Sequence, residues 1–203
     1  MRFLGVDPDL HTTGIAEVSD TGQLLRVSVA RVGKEYKGRA AAEEMTRVVF
    51  GALGEISSQC DMDHIHAAVE SQEIVSTSRR GANPCDLLDL AYVTGAAAAA
   101  LYFHRVWMPK PQKWKGSVPK KIHQARTFIK AGGATYEMKG GKDPYVVPLT
   151  WITPAPRCEG LKKSDWKHVM DAIGLAYWAK EEYERIDAFV KRQVSKWVTT
   201  PSV

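Results

Sequence analysis

The chain contains no apolar run long enough to cross a membrane, and its first residues lack the charged-then-apolar pattern of a signal peptide. Both absences lead to the expectation of a cytoplasmic protein without a membrane partner. Cysteine is scarce. Cys60, Cys85 and Cys158 are the three in 203 residues, and they stand too far apart for a paired metal motif. They read as free thiols in a reducing compartment. Acid is almost missing from one stretch: residues 105–142 carry 10 Lys/Arg and a single acid, Glu137. Residues 1–104 carry 9 Lys/Arg against 14 Asp/Glu, and the remainder 9 against 8, so the net +5 is concentrated centrally. Such a stretch suits a polyanionic partner, nucleic acid being the usual one, or else forms a solvated basic face. The rest of the composition is ordinary, with 44% apolar and 25% charged residues. Its length suits one domain over 1–203 with a sizeable core.

Arg2-Phe3-Leu4-Gly5-Val6 is short, apolar and β-prone, and it is followed by Asp7-Pro8-Asp9-Leu10-His11-Thr12-Thr13-Gly14. That order predicts a buried strand delivering Asp7 to its C-terminal end, then a tight turn into a second strand. Open α/β sheets bind ligands beyond their strand ends. Asp7 is therefore either a functional carboxylate or a turn former bonding its own backbone, and this stretch alone leaves both open. Gly14–Val18 and Leu24–Val32 predict two further strands, joined by the hairpin signal Asp20-Thr21-Gly22. Ala42, Met45, Val49, Ala52, Leu53 and Ile56 recur at helical spacing within Arg39–Ser58. Ile65 to Ser71 predicts another short strand with Glu70 at its C-terminal end. If it runs parallel beside the first, Glu70 and Asp7 emerge at one sheet edge. Two such carboxylates repel unless a cation joins them.

A polar loop from Glu73 to Pro84 carries Arg79 and Arg80, and an alanine-rich helix over Asp86–Tyr102 follows. His104–Pro109 predicts a fifth strand. The basic stretch then supplies Lys113, Trp114, Lys115, Lys120 and Lys121, with Pro119 opening a helix to about Ala131. Its N-terminus and lysines suit phosphate. Trp114 either stacks on a base or anchors the loop to the core. Residues 132–164, rich in Gly, Pro and Lys, are expected to form a long flexible loop with at most a short strand around Tyr145–Ile152. The final helix begins near Ser164 or Asp165 and runs to about Trp197. His168 and Asp171, three residues apart, share a face of its first turns. Ala172, Leu175, Ala176 and Ala179 would hold the neighbouring face on the sheet, and Gly174 would allow a close helix–sheet approach. Asp165 reads as an N-cap, His11, His64 and His66 as structural or solvated, and Glu181, Glu182 and Glu184 as a solvated face.

Asp7, Glu70, His168 and Asp171 thus form one candidate set. Three carboxylates and one further ligand are adequate for a pair of divalent ions, which can activate water and stabilise a leaving oxygen in phosphodiester hydrolysis.

The run Gly5-Val6-Asp7-Pro8-Asp9-Leu10, then Thr12-Thr13-Gly14, then Glu70 at a strand end, then His168-x-x-Asp171-Ala172 on a late helix, resembles the RuvC family of Holliday-junction resolvases. The resemblance spans about residues 1–130 and 162–180. It implies an α/β, RNase H-like three-layer fold with a five-stranded mixed sheet flanked by helices. It further implies that Asp7, Glu70, His168 and Asp171 are catalytic and metal-binding, with two Mg2+ ions (Mn2+ being the alternative). Expected partners are four-way and other branched DNA and a second copy of the chain. DNA contacts are expected at Arg79, Arg80, Lys113, Lys115, Lys120 and Lys121. Asp9 departs from the family's usual glycine, and His168 stands where aspartate is common. Ser71-Gln72-Glu73-Ile74-Val75 lacks the aromatic that some members place after the glutamate. The lysine-rich segment and the extended 132–164 region look more like phage- or virus-encoded members, which would place the protein in a bacterial or phage-infected cell. Rival readings are an RNase H-like nuclease acting on RNA or RNA–DNA hybrid, and a non-catalytic junction-binding module. The opening motif also resembles the phosphate loop of sugar kinases, but the second phosphate loop they need is not visible.

Overall fold

The computed structural model describes residues 1–58, 65–71, 83–101, 105–141, 144–152, 156–158 and 160–198. β1 (Arg2–Asp7), β2 (Thr12–Ser19) and β3 (Leu24–Arg31) form an antiparallel meander, and α1 (Arg39–Ser58) follows. β4 (Ile65–Val69), α2 (Pro84–Ala100) and β5 (Arg105–Trp107) complete a five-stranded mixed sheet in the order β3-β2-β1-β4-β5. β4 lies parallel to both β1 and β5. α3 (Pro111–Lys115), α4 (Lys120–Lys130), a hairpin of β6 (Gly133–Lys139) and β7 (Tyr145–Trp151), and α5 (Trp166–Val198) follow.

The sheet is the middle of three layers. Phe3 to Asp7 are all buried, so β1 reads as a continuous run rather than an alternation, as expected for a central strand covered on both faces. Leu4, Val6 and Ile15 point towards the α1/α2 layer, where Met45, Val49, Leu53, Val93 and Ala97 meet them. Phe3, with Leu175 and Ala179 of α5, lies on the other face. Ala42, Met45, Val49, Leu53 and Ile56 of α1, and Ala172, Leu175, Ala176 and Ala179 of α5, are fully or nearly fully buried, as their spacing predicts, while Ala52 is half-buried against them.

α5 comes so close to the sheet that backbone meets backbone. A Cβ on Gly5 would stand 1.9 Å from the Ala172 carbonyl oxygen, and one on Gly14 would stand 2.4 Å from the carbonyl oxygen of His168. The glycines that permit this approach are therefore on the strands. Gly174, expected to serve it, instead makes room for the ring of Trp114, which a Cβ would reach at 2.6 Å.

Residues 132–164 also differ from expectation. The short strand expected at Tyr145–Ile152 is β7, but rather than standing in a long loop it pairs with β6 in a two-stranded sheet, seated on α4 through Val146, Val147, Phe128 and Trp151. Gly133 lies against the Phe128 ring, where a Cβ would come within 2.2 Å. Two register shifts in the ladder, and Pro148 within it, break the alternation by which a strand is recognised.

Candidate active site

β1 and β4 end level with each other. Val6 pairs with Val69, and the Glu70 amide donates to the Val6 carbonyl at 3.0 Å. Parallel pairing therefore places Asp7 and Glu70 side by side at the C-terminal edge of the sheet. α5 enters across that edge because Gly14 admits the His168 carbonyl. The first turns of α5 then lower His168 and Asp171 onto the two strand ends. His168 Nδ1 lies 2.9 Å from Asp7 Oδ2, and Asp7 and Glu70 share a side-chain hydrogen bond. The four candidate residues converge as their order and spacing predict.

Lys115 and Lys120 join them. The Lys115 ammonium lies 3.4 Å from Glu70 Oε1 and 3.2 Å from Asp171 Oδ2, and that of Lys120 is 3.3 Å from Asp171 Oδ2. Among the described residues, no three acidic, histidine or cysteine side chains stand as a ready-made metal cage. The Lys115 ammonium occupies the space between Glu70 and Asp171 instead.

Burial dominates the electrostatics. Asp7 is 8% exposed, and its pKa is pushed up to about 7, first by burial and then by the charge of Asp171. Glu70 is pushed up to about 9, first by burial and then by the charge of Asp7. Burial holds His168 below the ordinary histidine value, favouring the neutral imidazole. Burial would lower Lys115, but the charges of Asp171, Glu70 and Asp7 outweigh it and hold it above its ordinary value. Protons and ammonium groups thus compensate a cluster of acids that would otherwise repel.

Gln124 of α4 escapes sequence reading. It is fully buried, and its Nε2 donates to Asp171 Oδ1 at 2.9 Å and to the Lys167 carbonyl at 3.0 Å. Its Oε1 accepts from the Val146 amide of β7 at 3.2 Å. One side chain therefore fixes Asp171 and ties the hairpin to the site. Its signal in the sequence is faint: Gln124 stands four residues after Lys120, on the same helix face.

Other candidates resolve differently. Asp9 serves the turn, its Oδ1 accepting from the His11 amide at 2.9 Å. Asp165 accepts from the Lys162 amide and forms an ion pair with Arg31, which keeps it away from the cluster. Trp114 is a buried anchor against α5. His66 lies within an aromatic group of Phe3, Trp107 and Tyr183. Lys113 and Lys121 are exposed, while Lys115 and Lys120 turn inward. Arg79, Arg80, His64 and Cys60 lie outside the described residues; Cys85 and Cys158 are free thiols. No described helix is long and apolar enough to cross a membrane.

No family model matches the chain, and no curated protein does either. Solved structures do match. RuvC from Thermus thermophilus superposes with a TM-score of 0.58 at 17% identity, over 92% of this chain and 97% of that one. T. thermophilus RuvC in complex with a Holliday junction substrate gives a TM-score of 0.56 at 16% identity, over 87% and 90%. With its five-stranded mixed sheet, flanking helices and this extent of superposition over most of both chains, the protein has the RuvC form of the RNase H-like fold.

Proposed function

We propose that this chain is a metal-dependent endonuclease that resolves four-way and other branched DNA junctions by paired phosphodiester hydrolysis. The observation that carries the reading is the convergence of Asp7, Glu70, His168 and Asp171 from two parallel strand ends and one helix onto a single buried point. The structural neighbour in complex with a Holliday junction supports a branched substrate for this architecture.

The donor set fits Mg2+ or Mn2+. Asp7, Glu70 and Asp171 offer hard carboxylate oxygens, and the cluster already draws in the Lys115 ammonium, so it favours positive charge. When bound, a pair of such ions would supply Lewis acidity to the attacking water and to the leaving oxygen. The chain's own groups do the rest. Lys115 leaves the space between Glu70 and Asp171 and turns to the phosphate. Gln124 keeps Asp171 in place throughout. His168, donating Nδ1–H to Asp7, presents its Nε2 lone pair to take a proton from water. Lys113, Lys120 and Lys121 line the approach for the DNA backbone. Paired nicks in a two-fold junction need two such sites, and a homodimer supplies them. Leu88, 68% exposed, and Tyr92 on α2 give an apolar face for that contact.

The test uses a labelled four-way junction, a linear duplex and an RNA–DNA hybrid, each with magnesium and with chelator. Symmetric paired nicks in the junction, only with metal, are expected. Asp7→Asn should bind the junction yet reduce cutting by at least about a hundredfold. Normal cutting by that variant rejects the site. Preferential cutting of the hybrid points to an RNase H-like substrate, and binding without cutting to a non-catalytic module.

A further inference from the structure

Beside the carboxylate cluster lies a groove whose aromatic lining the chemistry above does not use. Trp107 ends β5, and Trp178 stands on α5 two turns beyond Asp171; their rings meet edge-on at 6.3 Å. With Met108, Pro109, Lys110 and Lys113, they line a cavity of about 550 Å³. Neither indole is fully buried, and Met108 is 47% exposed, so the apolar floor opens to solvent.

The groove shares its wall with the candidate active site. The short helix α3 carries Lys113 into the groove and Lys115 into the cluster. The Pro109 carbonyl accepts from the amide of Ser71, the residue after Glu70, at 2.9 Å. The groove and Glu70 are therefore joined through α3 and through this backbone hydrogen bond. Glu182 also lines it, but its carboxylate is held by Arg185 at 3.0 and 2.5 Å. The lining thus pairs two indoles set edge to face, Met108 and Pro109 beside them, with the ammonium groups of Lys110 and Lys113. That chemistry matches an uncharged planar ring on an anionic backbone.

We propose that this groove takes an unpaired nucleobase of the DNA substrate, stacked on the face of one of the indoles Trp107 and Trp178 and bounded by the other, with the flanking phosphates on Lys110 and Lys113. A base inside a duplex is stacked and paired and cannot enter, whereas branch points release bases at small cost. The inference rests on the reading of the chain as a branched-DNA nuclease and deepens it. The groove would select branches that carry unpaired bases and hold the adjoining phosphodiester at Asp7 and Glu70.

The test is binding in chelator, by fluorescence anisotropy, of a labelled oligothymidylate and of the same backbone with abasic residues. The full-length wild type should bind the thymidylate about tenfold more tightly than the abasic strand. Trp178→Leu, which keeps the apolar bulk, should erase that difference and leave the abasic affinity unchanged. Trp178→Phe should retain most of it. Lys113→Ala should weaken both strands by the same factor. Equal wild-type binding of the two strands, or a base preference that survives Trp178→Leu, overturns the proposal. Junction cutting with magnesium is measured in parallel. Cutting without base preference removes the groove and leaves the nuclease reading. Base preference without cutting supports the groove and removes that reading.

Discussion

Glu70 holds a proton that a solvated glutamate would have lost well below neutral pH. Its pKa in the folded chain, about 9, lies far above the ordinary 4.5, so between those values the folded state binds a proton that the unfolded state does not. That contribution to stability is complete below the ordinary value and is lost as pH rises through about 9. Between pH 8 and 8.5, where Asp7 has given up most of its proton, the metal-free chain should lose up to about 1.4 kcal/mol of stability per pH unit from this group. Glu70→Gln should flatten that slope. Urea unfolding in chelator at several pH values measures it, and equal slopes for the two proteins would reject the raised pKa. Asp7, Glu70, His168 and Asp171 were legible as candidates in the sequence because two stand at strand ends and two share a helix face; the parallel β1–β4 pairing and the close seat of α5 bring them together. Gln124 was not, because a glutamine in an amphipathic helix reads as solvent-facing until the hairpin beyond it is known to cover it.

At the scale of elements, the site depends on how deeply α5 sits on β1 and β2. Gly5→Ala would force a methyl group onto the Ala172 backbone, with no side chain able to yield. A loss of about 3 kcal/mol or more is expected, at the upper end of overpacking costs. Gly174→Ala is different. It gains about 1 kcal/mol of helix propensity but presses on the Trp114 ring at the end of α3. Its net effect on stability should be about 1 kcal/mol or less. Because Lys115 follows Trp114, the displacement should show mainly as slower cutting. Denaturant midpoints and junction-cutting rates on both variants separate the two effects. Helices α1, α4 and α5 were legible from their period and Pro119. β7 matches the short strand expected around Tyr145–Ile152, but β6 and its pairing with β7 were not legible, since Gly, Lys and Pro residues and shifted register hide the alternation. The hairpin's apolar residues become meaningful only against Phe128.

At the scale of the whole molecule, the central basic stretch divides. Lys121 is exposed, and Lys121→Ala should reduce the salt slope of junction binding by about 1 while leaving the cutting rate of bound junction unchanged. Lys120 reaches Asp171, so Lys120→Ala should lower cutting as well. Binding isotherms from 50 to 200 mM salt, with single-turnover cutting, distinguish the two; an unchanged slope for Lys121→Ala removes it from the DNA surface. For assembly, Leu88→Glu should convert a dimer to monomer by light scattering and abolish paired nicking while single nicks persist. A wild type that is monomeric at all concentrations would reject the paired-site reading. The sequence by itself determined the order of β1 to β5 and of α1, α2, α4 and α5, and which side chains stand at strand ends and on the first turns of α5, because period, turn chemistry and strand-end placement are local properties. The tertiary structure decided what compensates the carboxylates: Lys115 and Lys120 turned inward, Gln124 clamped between α5 and β7, and protons held by burial. None of these is local, since each depends on groups distant in sequence being excluded from water at the same point.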